Sequence, residues 1–345
     1  MLFVMEPTAS EGQIQEVVQQ LECQSFQVHR SSGARGTILA AIGTEREEFD
    51  HRPSMQPDGI KQIIKLAKPY RLAAREFRPD GTTVEINGVR LGGEEPVVIA
   101  DISFAESEEK IAAAVTMLVD CRIPILHVGI CQSRSSLPAL HRLSEVRLQR
   151  LRKAADRYNL LIIAEVQDTA QIDLVAEYAD LLQVEMHNKP NFTLLRRVAQ
   201  MARPVALKRG IAMKAEELLL AAEYVLSVGN PSVILCEQGI RTFQDYSQCV
   251  LDVSVIPAIK ELSHLPIIVD PNQAAGLDQY VLPLALASIA AGADGLMIGA
   301  RLNPQKDASE KDTSLEPGQI KELLARLNAL SARLHRRPSY ESVNH

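Results

Sequence analysis

Residues 204–210, Pro-Val-Ala-Leu-Lys-Arg-Gly (PVALKRG), set a short apolar run before two adjacent cations and a glycine. Such a run reads as a strand buried on both faces, with its last residues emerging where chemistry can reach them, as in parallel strands covered by helices. Outward from it the pattern recurs in VVIADIS (97–103), PILHVG (124–129), LLIIAEV (160–166), LLQVE (181–185), VILCEQG (233–239), PIIVDPN (266–272) and GLMIGA (295–300). Helical periods fall between them, among them EEKIAAAVTMLVD, LQRLRKAADRY, QIDLVAEYA, LLRRVAQMA and AEELLLAAEYVL, and GQIKELLARLNALSARLHR closes the series. Eight strands, each followed by a helix, predict a closed (β/α)8 TIM barrel over residues 97–337. The rival, an open doubly wound sheet, normally announces a glycine-rich first turn, and none follows VVIADIS.

Upstream, residues 1–72 alternate strand and helix: LFVMEP, GQIQEVVQQLECQ, FQVHR, TILAAIG, a second helix PDGIKQIIKLA (57–67) and a final strand PYRLA (69–73). That β-α-β-β-α-β order predicts a small ferredoxin-like α+β domain, a unit suited to regulation or oligomerisation, and it carries no phosphate loop or acid–base cluster. In the linker 73–96, Asn87-Gly88 between alternating segments predicts a tight type I′ hairpin, a connector or plug. Residues 338–345 read as a disordered tail.

With 345 residues, 46% of them apolar, the chain can bury one large core and a small second one. A net charge of -6 without a long basic run offers no electrostatic footprint for nucleic acid or an anionic membrane. Five scattered cysteines without C-x-x-C spacing predict neither a disulfide framework nor a zinc cluster. A cytoplasmic location is expected, since the N-terminus lacks a basic region and a full apolar segment, and no run is apolar enough to span a bilayer.

A barrel's chemistry lies at the C-terminal ends of its strands, which nominates a polar rim: Ser103, His127 with Gln132 and Arg134, Glu165, Glu185 with His187, Lys208 with Arg209, Glu237 with Gln238 and Arg241, Asp270 with Asn272 and Gln273, and Arg301. Lys208 at the end of an apolar strand can hold a phosphate or carboxylate, lose its proton and act as a nucleophile, or pair with a nearby glutamate. Arg134 beside Ser135 and Ser136 offers a guanidinium fork and hydroxyls to a phosphate. Glu165 and Glu237 read as closing neighbouring inner strands, where they serve either as acid and base or as ion-pair partners of Lys208 or Arg209. His127 and His187 lack a third imidazole or soft donor at a strand mouth, so proton transfer is expected of them rather than metal ligation. The orientations of Cys131 and Cys236 are left open.

The segments KPYRLAAREFRPDGT, LRKAADRYNLLIIAEV, VAEYADLLQV, PVALKRG, VILCEQGIRTF, LDVSVIPAIKELSHLPIIVDP and AGADGLMIGA resemble the 3-deoxy-D-arabino-heptulosonate 7-phosphate (DAHP) synthase family, in its short form with an N-terminal ferredoxin-like domain. The resemblance spans nearly the whole chain. It implies condensation of phosphoenolpyruvate with erythrose 4-phosphate, using a divalent metal. The chain departs from that pattern at the site. The family's metal-binding cysteine falls at Ser103, its histidine at Gln273, its glutamate at Gly299, and its aspartate near Asp307 or Glu310. The cations that grip phosphoenolpyruvate fall at His127, Gln132, His187 and Gln238, a loss of anion contacts worth about 1.5–3 kcal/mol each. Arg134, Ser135, Lys208, Arg209, Glu237 and Arg241 keep the family's residues.

The expectation is a divergent enzyme without bound metal or other cofactor, acting on a small phosphorylated or carboxylated metabolite. Lys208, His127, His187, Glu237 and Glu165 would do the chemistry. Arg134, Ser135, Gln132, Arg209, Gln238, Arg241, Asp270, Gln273 and Arg301 would bind the anionic substrate. The rivals are a non-catalytic paralogue that binds a metabolite or a true DAHP synthase, and a synthase working with a substitute metal. By resemblance, a homodimer or tetramer is expected.

Overall fold

The computed structural model describes residues 1–33, 36–43, 58–64, 68–102, 107–129, 145–186, 190–245, 247–301 and 313–334. Two compact units emerge, Met1–Thr82 with Glu261–His264, and Thr83–Lys260 with Leu265–His345.

The first unit holds strands β1 (Leu2–Met5), β2 (Gln27–Gly33), β3 (Gly36–Ile42) and β4 (Ile60–Ile64) in one sheet of order β2-β3-β1-β4, the ferredoxin-like arrangement. Helix Glu11–Cys23 starts at Ser10, whose hydroxyl and the Gln13 side chain cap each other's backbone amides. Its buried face, Ile14, Val17 and Leu21, packs on Phe3, Leu39 and Ala41. Two sequence expectations fail here. Residues 60–64 are a strand rather than part of a helix over 57–67, and residues 69–73 run through turns rather than a strand. Ile60, Ile63 and Ile64 carry helical spacing, but pairing with β1 at Ile63↔Phe3 and Ile64↔Leu2 outweighs so short a local preference. Residues 44–57 lie outside the described residues.

The second unit begins with a hairpin, β5 (Val84–Ile86) and β6 (Val89–Leu91). Asn87 and Gly88 both take positive φ, 45° and 87°, as a type I′ turn requires. Eight strands follow: β7 (Val97–Asp101), β8 (Ile125–Val128), β9 (Leu161–Glu165), β10 (Leu181–Glu185), β11 (Val205–Lys208), β12 (Val233–Glu237), β13 (Ile267–Val269) and β14 (Gly295–Gly299). They pair in parallel around a closed barrel, β14 joining β7, so the open-sheet alternative is excluded. Between and after them run helices that include Glu108–Cys121, Glu145–Asp156, Phe192–Ala199, Ala215–Ser227, Asp278–Ala290 and Pro317–Arg333.

Alternation along each strand divides the lumen into two storeys. Ile99, Ile125, Leu161, Ile163, Leu181, Ala206, Ile234, Ile268 and Met297 fill the lower one, and Val84, Ile86 and Leu91 of the hairpin join the same cluster. The hairpin is therefore a plug. Each large side chain buried there stabilises by roughly 1.5–3 kcal/mol, so this end is built for stability. Further along most strands the inward positions turn polar, whereas β12 continues with Cys236 of the same cluster and β14 with Gly299.

Candidate active site

Continuing the inward parity of the core residues places Asp101, His127, Glu165, Gln183, Glu185, Lys208, Cys236, Gln238 and Asp270 around the upper lumen. Three polar contacts cross it, and each skips one strand, which only side chains pointing inward can do. Lys208 Nζ donates to Asp270 Oδ2 at 2.6 Å, passing β12. Gln183 Nε2 lies 3.1 Å from His127 Nε2, passing β9. Gln238 Nε2 lies 3.2 Å from Glu185 Oε1, passing β11, and also donates to the Arg209 carbonyl at 2.7 Å.

His127 Nδ1 stands 3.1 Å from Asp101 Oδ1. That contact lacks hydrogen-bond geometry, and because an amide nitrogen only donates, Nε2 is the acceptor from Gln183. That orientation turns the Gln183 Oε1 away, and this buried oxygen has no protein partner. The Gln238 oxygen is likewise buried and unpaired. Burial opposes charge on Lys208, but the Asp270 carboxylate and, further off, Glu185 outweigh it and hold the amine protonated well above the ordinary lysine range. Burial also raises the Cys236 thiol, which therefore stays neutral beside Lys208.

Arg209 and Glu237 take the opposite parity and leave the lumen. Arg209 Nη1 donates to Glu237 Oε2 at 2.8 Å and to Asp252 Oδ2 at 3.1 Å, and its Nε donates to the Met213 carbonyl. Gly239, at φ 106°, donates its N–H to Glu237 Oε1 at 2.6 Å, and a Cβ there would meet the Val250 carbonyl at 2.9 Å. Burial raises the Glu237 carboxyl, against Arg209 and this amide. Two expectations are thus corrected. Glu165 and Glu237 do not close neighbouring strands, since β10 and β11 lie between β9 and β12. Glu237, fully buried against Arg209, is a structural partner, which was the other role weighed for it. Arg209 is equally committed.

Of the remaining nominated residues, Glu165 accepts from Gln167 Nε2 at 2.7 Å, Arg241 is exposed, and Gln273 is half-buried in the short helix Asn272–Ala275. Arg301 is ion-paired with Asp278 and Glu316. His187, Gln132, Arg134 and Ser135, together with Ser103, Cys131, Asp307 and Glu310, lie outside the described residues. Asp101 and Gln183 were missed. The signal for Gln183 was present, as a lone amide at an inward position of LLQVE.

Of the positions that the resemblance assigns to a divalent metal, Gln273 and Gly299 are described, and Asn272 stands beside the first. Asn272 Nδ2 donates to Asp270 Oδ1 at 2.6 Å and to the Met297 carbonyl at 3.1 Å, and its Oδ1 accepts from Gly299 N–H at 3.0 Å. This carboxamide ties the end of β13 to β14. A Cβ on Gly299 would stand 2.9 Å from Ser314 Oγ and 3.4 Å from Asn272 Oδ1, so a side chain there requires Ser314 to shift. Among the described residues no three His, Cys, Asp or Glu side chains are placed to hold a metal ion. Gln273 and Gly299 bring neither the imidazole nor the carboxylate that the resemblance implies and so do not fit a divalent ion.

A parallel barrel whose upper lumen gathers an ammonium, an imidazole and carboxylates has the layout of a (β/α)8 enzyme. The chain belongs to the DAHP synthetase I family, which matches residues 78–336, and the DAHP synthase ferredoxin-like domain matches residues 1–68. It is 35% identical over 332 residues to a phospho-2-dehydro-3-deoxyheptonate aldolase of Thermotoga maritima, covering 96% of this chain and 98% of that protein. A 2-dehydro-3-deoxyphosphooctonate aldolase of Syntrophotalea carbinolica is 26% identical over 72% of this chain and 96% of its own length. The crystal structure of the Thermotoga maritima aldolase superposes with a TM-score of 0.74 at 34% identity, over 96% of this chain and 97% of that one. A truncated form of the Thermotoga maritima synthase gives 0.70 at 36% identity, over 76% and 97%. The chain thus stands in a superfamily of aldolase-type enzymes of the DAHP synthase kind. No described helix is long and apolar enough to cross a membrane.

Proposed function

We propose that this barrel is a divergent DAHP synthase-type enzyme that works without a divalent ion on a small phosphorylated or carboxylated metabolite, by aldol-type or proton-transfer chemistry. The observation that supports the reading is that the two described positions where the resemblance implies ligands, Gln273 and Gly299, carry a carboxamide and no side chain, with the Gly299 N–H already given to the neighbouring Asn272 carboxamide. Lys208, kept protonated by Asp270, supplies a fixed positive charge for a carbonyl or carboxylate, and that pairing speaks against its use as a Schiff-base nucleophile. His127, held by Gln183 and close to the Asp101 carboxylate, is the group suited to moving a proton. Arg134 and Ser135 are assigned to the anion on sequence grounds, and a homodimer or tetramer in the cytoplasm is the accompanying proposal.

The test supplies phosphoenolpyruvate and erythrose 4-phosphate with and without Mn2+, alongside a panel of other phosphorylated and carboxylated metabolites. No metal-stimulated heptulosonate should form, and at least one panel member should bind in a way that Lys208→Met abolishes. Mn2+-dependent synthase activity would overturn the reading. A second reading, a non-catalytic paralogue, draws on the fact that both His127 nitrogens and the Lys208 amine already face protein groups. Binding without turnover, together with co-purification with an active DAHP synthase of the same cell, would select it.

A further inference from the structure

We propose that a cavity at the N-terminal end of the barrel, beside the starts of β7 and β8, is a second binding site, suited to a small organic anion with an apolar body. It holds about 480 Å³, a size that takes a small ligand, and residues of the second unit alone line it. Its wall runs from Arg90 of the hairpin plug through Val97 and Val98 of β7 to Arg122 and Ile123, which lead into β8, with Leu324 of helix Pro317–Arg333 alongside. The upper lumen lies at the other ends of the same two strands, where Asp101 and His127 stand.

The anion is assigned to the two guanidiniums. Neither Arg90 nor Arg122 makes a side-chain hydrogen bond or ion pair with another described residue. Glu85 faces Arg90 across the hairpin register without pairing with it. Arg122 also holds a left-handed backbone, φ 55° and ψ 37°, at the end of helix Glu108–Cys121. Glycine or asparagine normally takes that place, because a Cβ there crowds the following carbonyl. A cation suits a helix C-terminus, but one in the last turn serves that purpose without the left-handed backbone. An arginine kept in this conformation on the wall of a cavity, with no protein group to hold it, is accounted for by a ligand contact.

Val97, Val98, Ile123 and Leu324 supply the apolar surface, and Pro96 and Pro124 stiffen the backbone beside it. Glu94 and Glu95 line the cavity too, which makes it a poor trap for a bare anion. Binding there draws on the guanidiniums and the apolar surface together. Phosphate and carboxylate both suit a guanidinium fork, and the experiment separates them.

Calorimetry on the full chain tests the site with hexyl phosphate, hexanoate, 1-hexanol and inorganic phosphate, in the wild type and in Lys208→Met, which disables the upper lumen. At least one six-carbon anion should bind both proteins about tenfold more tightly than hexanol or inorganic phosphate, the margin of one charge-assisted hydrogen bond. The tighter of the two names the anionic group. Arg90→Gln and Arg122→Gly should each lower that affinity about tenfold. Arg122→Gly should do so without lowering the melting temperature, since glycine adopts this backbone freely; a clear drop would make Arg122 a structural cap and overturn its assignment. Binding that survives both arginine variants but disappears in Lys208→Met would place the anion in the upper lumen and overturn the second site. Equal affinity for hexanol would overturn the anionic part, equal affinity for inorganic phosphate the apolar part, and silence from both six-carbon anions in Lys208→Met the whole proposal.

Discussion

Lys208 and Arg209 are consecutive cations, each buried and each paired with a carboxylate, yet they face opposite sides of β11. The Lys208–Asp270 pair crosses the polar upper lumen. The Arg209–Glu237 pair sits outside the lumen, its guanidinium also held by Asp252 and the Met213 carbonyl. One residue of parity separates a group placed to meet a ligand from a group that holds the molecule together. Charge and burial alone do not tell them apart; the direction of the side chain does.

The largest break should come from the outer pair. Arg209→Ala strands a fully buried Glu237 without its cation and should cost about 3–5 kcal/mol in urea unfolding. Adding Glu237→Leu should recover much of that loss, and no recovery would mean the pair is not the cause. Next comes a buried polar group of the first unit that remains neutral. His264 accepts from the Thr82 hydroxyl at 2.7 Å and donates to the Leu72 carbonyl at 2.6 Å, and burial lowers its pKa from 6.5 to about 4. As pH falls below 6.5 the unfolded chain takes up this proton first. Stability should therefore drop by about 3 kcal/mol between pH 6.5 and 4, then level off. His264→Gln should flatten that part of the pH–stability profile; an unchanged slope would assign the loss to other groups.

Lys208→Met should be milder, about 1–2 kcal/mol, because Asp270 keeps both its Asn272 donors and the polar lumen can hydrate it. Ligand binding, by contrast, should vanish. If Lys208→Met cost as much stability as Arg209→Ala, the contrast between the two faces of β11 would be lost. Smallest is Gly299→Ala, about 1 kcal/mol in thermal melts, since the added methyl meets the Ser314 hydroxyl at 2.9 Å. A neutral result there would mean that the end of β14 has room for a larger side chain.

The barrel was legible because eight apolar runs recur with helical segments between them, a pattern few folds satisfy. The Asn87-Gly88 turn was equally plain, since its chemistry is local. Residues 60–64 were not, because three isoleucines at helical spacing give the wrong period and only the pairing with β1 corrects it. At the site, the expectation drew a single polar rim from Lys208, His127, Asp270 and Gln238 together with Arg209 and Glu237. Counting parity from Ala206 and Ile234 would have separated the two sets. Asn272 was visible as a polar residue, but its bonds to Met297 and Gly299 join elements about 25 residues apart in sequence and no spacing announces them.

The central claim is the proposal that this barrel works without a divalent ion. The most direct measurement is the metal content of protein purified after saturation with Mn2+, Fe2+ and Zn2+, read together with melting in the presence and absence of EDTA. Substoichiometric metal and an unchanged melt are predicted. One equivalent of divalent ion bound within the barrel, with stability lost to chelation, would contradict it.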